Sequence, residues 1–570
     1  MTTPGECRMV DELFMTAAPA TPPPRRWRWR HLVAGLLVLL LVGAIVASFT
    51  VRPRLNAWAR EETVTFLQDA FDSEVELGDL DVQLGLVFRV RGRDLVLRHK
   101  GRRDVPPLIE IASFDVSTAL RQVLWTPRRI DFVEIEGLQF NIPPRYSQDE
   151  ERFPNQKPPS EKPVGPPAPT SAPKPAPAPR DAPPRKPASL IITELSARQA
   201  RMTIVPKEAD KTPKVWDIRA LVMSEVAPDR PMPFSADIEN PLPKGTVVAN
   251  GTFGPWASGE PGMTALEGTY TLAQADLGTI KGVGGIVDAE GTFDGVLERI
   301  VATGTSTTPD FHLDFAQQPI SLTTTYTSVI DGTNGNTWLD PVHAVLGGST
   351  KLVATGGIVK VTRDAPGRTI DLDVVIEEGR LEDVLRLAVD SDAPMMTGGL
   401  KVAAKLLIPP GDTRVAQKLR LDGQFSLHGA QFTSDLVQGK IDELSRRAQG
   451  QPEAQHIEDV LSDFSGRFRM ANGAVTLPSL RFTTQGARVQ LAGSYHIDGR
   501  LDFQGNIRMS AGVSQMVTGK KRFFLKAFDP LFKRDGATEF PIHIRGSVQK
   551  PEFGVDVKKT LRRALLPGDD

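Results

Sequence analysis

A glycine followed two residues later by an aromatic or branched residue recurs along this chain. The frames are Gly251–Phe253, Gly268–Tyr270, Gly291–Phe293, Gly423–Phe425, Gly466–Phe468, Gly493–Tyr495, Gly505–Ile507 and Gly546–Val548. Each sits inside a stretch that alternates polar and apolar residues. In a strand, residues i and i+2 point to one face. Each frame therefore sets a position without a side chain beside a large apolar group on the same face. A long sheet repeating this device coils, because glycine relieves crowding and the neighbouring ring covers the gap. The alternation is cleanest after residue 410. In Leu501–Met509, Leu501, Phe503, Ile507 and Met509 oppose Asp502, Gln504, Asn506 and Arg508; in Thr538–Gln549, Phe540, Ile542, Ile544 and Val548 oppose Pro541, His543, Arg545, Ser547 and Gln549. One apolar face and one wetted face predict a mainly β fold built on a long, curved antiparallel sheet. Strand patterns alone do not separate a closed sandwich from a sheet with an open apolar face.

Composition narrows the function classes. With 68 basic and 69 acidic residues the net charge is -1, so no global field favours nucleic acid. The single cysteine, Cys7, excludes a disulfide framework and a cysteine-ligated metal site. The length of 570 residues, with 49 Gly and 47 Pro, suits either several domains or one large β body rich in turns. Residues 32–51 (LVAGLLVLLLVGAIVASFTV) carry no charge, and a helix of that length spans ~30 Å of hydrocarbon. Arg25, Arg26, Arg28 and Arg30 precede it, interleaved with Trp27 and Trp29, and Arg52 and Arg54 follow. The greater basic charge before the run predicts a single-pass span with the N-terminus cytoplasmic. The competing reading is a cleaved signal peptide, for which Ala44, Ala47 and Ser48 offer only a weak cleavage-like pattern.

The chain divides into a basic tail (1–31), the span (32–51), a helix and strands (52–142), a proline-rich loop or linker (143–188), a middle β region (189–410) and a C-terminal β region with helical inserts (411–570). Leu55–Ala70 predicts a helix, Thr118–Trp125 one or two helical turns, and Ile130–Ile142 a strand. The proline-rich stretch cannot bury enough apolar surface to fold; it is a spacer between strands or, alternatively, a ligand for a proline-binding domain. Three helices are predicted inside the β regions: Glu378–Val389, Ser434–Ala448 and Gly512–Phe532. In the last, Met516, Phe524, Ala527, Phe528 and Leu531 recur near helical spacing among Lys520, Lys521, Arg522, Lys526 and Lys533, with a break at Pro530. Such a basic amphipathic element lies on an anionic membrane surface or closes the end of the sheet.

An ordered set of segments runs through the last third: Lys440–Arg447 (KIDELSRR), Ser462–Gly466 (SDFSG), Val475–Phe482 (VTLPSLRF), Gly486–Gly493 (GARVQLAG), Leu525–Phe532 (LKAFDPLF) and Phe540–Phe553 (FPIHIRGSVQKPEF). With these, and more weakly with Leu108–Ile142, the chain resembles the AsmA family of bacterial envelope proteins, within the bridge-like lipid-transfer class. The resemblance implies an elongated apolar groove anchored in the inner membrane, its bulk periplasmic. It also implies phospholipid movement toward the outer membrane and a part in envelope integrity. On that reading Phe425, Phe468, Tyr495, Phe503, Ile507, Phe540, Ile542 and Ile544 line the groove. Phe524, Phe528, Leu531, Lys521 and Lys526 form its end or a membrane-surface element. Membrane phospholipid is the expected partner, with envelope proteins as possible others.

The chain carries no nucleophile elbow, phosphate-binding loop or dinucleotide fingerprint. Its eight histidines are scattered, no pair having the spacing of a helical metal site, and His428, His496 and His543 fall on polar strand faces. Asp371 and Asp373 share a strand face near Lys360 and Arg368, which makes them a solvated face. No catalytic residue, metal or cofactor is therefore expected. The alternative to lipid conduction is a periplasmic assembly or scaffold protein for outer-membrane protein biogenesis, acting through sheet edges and the proline-rich loop.

Overall fold

The structure is a computed structural model that describes residues 54, 56–83, 87–123, 128–144, 190–206, 213–314, 316, 318–360, 367–389, 393–454, 459–496, 499–518, 526, 529–534, 536–547 and 550–555. The arginines at 25–30, the run 32–51 and nearly all of the proline-rich stretch lie outside these residues. Among the described residues no helix is long and apolar enough to cross a membrane. The chain divides into two compact units, Met1–Glu62 and Thr63–Asp570. In the first, residues 56–62 are helical. In the second, residues 63–71 are helical and bring Val64, Leu67 and Phe71 against a core of Leu77, Leu95, Leu97, Ile111, Val133 and Ile135.

Among the described residues the second unit is built on one 27-stranded sheet with a few short helices. The sheet runs unbroken past residue 410, strand Met396–Ile408 pairing with Arg420–Phe432. It is mixed rather than purely antiparallel. Arg128–Glu136 and Gln139–Ile142 both lie parallel to Leu190–Ile204, whereas the other pairings among the described residues are antiparallel. Parallel neighbours cannot be joined by a hairpin and need a connection of a dozen or more residues. The chain between these strands is the one containing the proline-rich stretch. Alternation has period two in either direction, so it could not reveal this join. The single strand expected over Ile130–Ile142 is likewise two, separated at Gly137, whose φ is 67°.

The glycine frames work across strands as well as along them. Gly423 stands opposite Phe468, Phe425 opposite Gly466, and Gly493 opposite Phe503. A Cβ on Gly493 would run into the Asp502 carbonyl oxygen and lie 2.7 Å from Cδ1 of Phe503, so the paired backbone and the ring together occupy the space that a side chain would need. Gly546 differs: its φ is 96° and it stands next to the last residue of Ala537–Ser547.

Because successive strands are antiparallel, alternate connections fall on the same edge of the sheet. The strand ends at Arg380, Phe432 and Met509 share one edge. After them come the helices Leu381–Ala388 and Asp435–Ala448, then the short helical pieces Val513–Met516 and Asp529–Phe532. An aspartate pins each insert. Asp383 accepts hydrogen bonds from Ser349 Oγ at 2.7 Å and Thr350 Oγ1 at 2.6 Å. Asp442 accepts from the backbone N–H of Val460 at 3.0 Å and from Gln438 Nε2 at 2.9 Å. Asp529 accepts from the backbone N–H of Ser514 at 2.8 Å and its Oγ at 2.7 Å. The helix expected from Glu378 begins only at Leu381, because Glu378–Arg380 complete the strand Thr369–Arg380. The helix expected over Gly512–Phe532 is replaced, where described, by two short pieces, the second starting beside Pro530.

His99 closes the strand Val87–His99. It is 6% exposed, with Nδ1 3.4 Å from the carbonyl oxygen of Phe71. Burial lowers its pKa below 6.5. Below pH 6.5 the unfolded chain therefore binds the proton more readily than the folded one, and stability falls as pH drops through that value. Thermal unfolding at pH 7.5 and 5.5 is expected to show a loss at the lower pH that His99→Gln reduces.

Candidate functional site: the apolar face of the sheet

The register places one uncharged row across the sheet. It starts at Ala200 and passes through Ile218, Ile238, Val247, Leu272 and Ala289. It continues through Ser306, Thr324, Ala344, Leu352, Ile376 and Val402. It then reaches Phe425, Gly466, Leu480, Leu491, Gly505, Ile542 and Val555. Every strand from Leu190–Ile204 to Lys550–Val555 contributes, except the two-residue pieces Val283–Gly284 and Lys533–Arg534. A second row two residues away on the same face runs Tyr270, Gly291, Gly304, Tyr326, Val342, Ala354, Val374, Ala404, Gly423, Phe468. Neither row contains a charged residue.

The opposite face is the wetted one. Cross-strand ion pairs decorate it: Arg201–Asp217 at 2.9 Å, Arg219–Asp237 at 2.8 Å, Arg469–Asp422 at 3.0 Å and Lys405–Asp371 at 3.6 Å. All are solvent-exposed, so each adds little stability; they matter here because they keep charge on one side. Arg368 instead donates to Asn336 Oδ1 at 2.7 Å in the turn before Thr337–Leu346.

The eight groove candidates all fall on the apolar face. Phe425 and Ile542 belong to the first row and Phe468 to the second. Tyr495, Phe503, Ile507, Phe540 and Ile544 lie at even spacings from row members on their own strands. Their burial is not uniform. Phe503 and Ile507 are 8% and 5% exposed and belong to a packed core, whereas Phe425, Phe468, Tyr495, Phe540, Ile542 and Ile544 are half-buried. The difference does not simply track distance from the insert-bearing edge: Phe503, well away from Met509, is buried, whereas Phe540, opposite Ile507, is half-buried. At the edge carrying the inserts, Ile441, Leu444 and Ala448 of one helix pack against the Phe482, Val489 and Met509 end of the face. Leu381 and Val384 of another pack against Ile376, Leu400 and Leu427. Farther along the same strands Phe468, Tyr495, Ile542 and Ile544 keep partial access to solvent. Of the end-element candidates, Lys526 is exposed. Phe524, Phe528 and Lys521 lie outside the described residues, as does the side chain of Leu531.

Sequence reasoning missed two polar pairs on this face. Tyr270 and Tyr326 hydrogen-bond through their hydroxyls, and burial raises the pKa of both. Ser306 Oγ and Thr324 Oγ1 are 2.7 Å apart. The scarcity of tyrosine, four in the whole chain, was the one available signal. Among the described residues no group of three or more His, Cys, Asp or Glu is placed to hold a metal. Comparison with protein-family models, curated proteins and solved structures finds no match for this chain.

Proposed function

We propose that this chain binds phospholipid acyl chains along the apolar face and conducts them between bacterial envelope membranes, without catalysis, as an AsmA-like groove protein. The observation that supports this reading is the uncharged row from Ala200 to Val555, in which Leu272, Val402, Phe425, Leu480 and Ile542 are only partly covered. An acyl chain in water costs about 0.8 kcal/mol per methylene, so two ordinary chains face a barrier on the order of 20 kcal/mol. A continuous apolar surface lowers that barrier with no reaction chemistry. On this reading residues 32–51 hold the protein in the inner membrane, Arg25, Arg26, Arg28 and Arg30 keep the N-terminus cytoplasmic, and the sheet lies in the periplasm.

Native mass spectrometry of residues 52–570, purified without detergent, tests the proposal. The expected result is protein carrying phospholipid masses that survive gentle desolvation. Lipid-free protein bound stoichiometrically to another envelope protein would overturn it in favour of an assembly scaffold.

A further inference from the structure

The two polar pairs interrupt the apolar rows at one place. Tyr270 stands on Ala265–Asp276 and Tyr326 on Ile320–Asp331, with two strands between them. The intervening positions of that row are Gly291 and Gly304. With no side chains there, the two rings lean inward and meet: a Cβ on Gly304 would lie 2.9 Å from the Tyr270 hydroxyl and 3.1 Å from that of Tyr326. Ser306 and Thr324, two residues along the same strands and on the same face, make the second hydroxyl pair.

Each pair has two O–H groups and one hydrogen bond. One hydrogen in each is left without an acceptor inside the pair, and such a donor facing hydrocarbon is costly. Neither row carries a charged residue, so an anionic phosphate would find no cation here to match it. A neutral carbonyl oxygen fits.

We infer that these two hydroxyl pairs form a station on the apolar face that donates hydrogen bonds to the two ester carbonyl oxygens of a diacyl glycerolipid. The inference rests on the lipid-binding reading and adds a preference to it, for ester-linked over ether-linked chains.

The test uses the full-length chain with benzoylphenylalanine at Val342, directly cross-strand from Tyr326. The protein is reconstituted in vesicles holding equal amounts of dioleoylphosphatidylcholine and its dialkyl ether analogue. Irradiation is expected to capture the ester lipid about five-fold over the ether lipid, the scale of one or two net hydrogen bonds. Tyr270→Phe with Tyr326→Phe should lower that ratio, and adding Ser306→Ala and Thr324→Val should bring it to one, total capture persisting in both cases. Tyr326→Phe alone, which keeps the ring, guards against loss of fold and should lower the ratio part-way. Equal capture of both lipids by the unsubstituted protein overturns the station while leaving the groove reading intact. Capture of neither lipid overturns both.

Discussion

Replacing Ile542 and Ile544 together with Asp is expected to abolish photocrosslinking of phospholipid to the sheet while membrane insertion is unaffected. Both side chains lie on the apolar face, Ile542 opposite Gly505 and Ile544 opposite Phe503. Both are half-buried, so water can still reach the new carboxylates and the sheet can persist. An acyl chain passing over them would have to strip that water, and an unpaired charge against hydrocarbon costs several kcal/mol. The charge at position 542 would stand in a row that otherwise holds none. Gln504→Asp is the control: it adds a carboxylate to the wetted face of the neighbouring strand and should leave crosslinking near the unsubstituted level. Retained crosslinking in the Ile542→Asp, Ile544→Asp protein would remove these residues from the proposed lipid surface.

Gly505→Val is expected to have the largest effect on stability. A Cβ there would lie 1.8 Å from the carbonyl oxygen of Gln490, which belongs to the paired strand backbone and cannot swing aside. The valine methyls would also meet Leu491 and Ile542, the cross-strand partners on either side. Overpacking commonly costs about 1–3 kcal/mol, and displacing a paired strand raises the loss to about 4 kcal/mol or more. Gly259→Val gives the comparison, since nothing lies within 4 Å of its Cβ position. Urea unfolding should separate the two variants clearly. Equal midpoints would mean that the sheet adjusts at Gly505 and that the glycine frames are not constraints on its coiling.

Much of this architecture was legible from the residues, and the reasons are local. Leu501–Met509 alternates cleanly, and the strand observed is Arg500–Met509. Ser434–Ala448 has helical spacing with acid at its start and arginines at its end, and Asp435–Ala448 is helical. The apolar face was readable at Phe425, Phe468 and Ile542 because parity along a strand decides the face. Burial was not readable: Phe503 and Ile507 share that parity, yet they are packed in a core and Ile542 is half-covered. That distinction depends on what packs over each position, a property of the whole sheet. Arg299–Leu313, rich in threonine and serine, gave a weak apolar signal although threonine suits strands well. The hydroxyl pairs escaped for a related reason. Tyr270 and Tyr326 meet only because of the register of the two strands that separate them, and no spacing along the chain encodes that.

The parallel join between Gln139–Ile142 and Leu190–Ile204 gives the sheet an unusual internal boundary. At a hairpin, a short turn holds two strands in register before any ladder forms. Here no turn can do so, and the ladders with Arg128–Glu136 and Gln139–Ile142, together with the core beneath them, must set the alignment themselves. The two blocks thus meet much as separate subunits would.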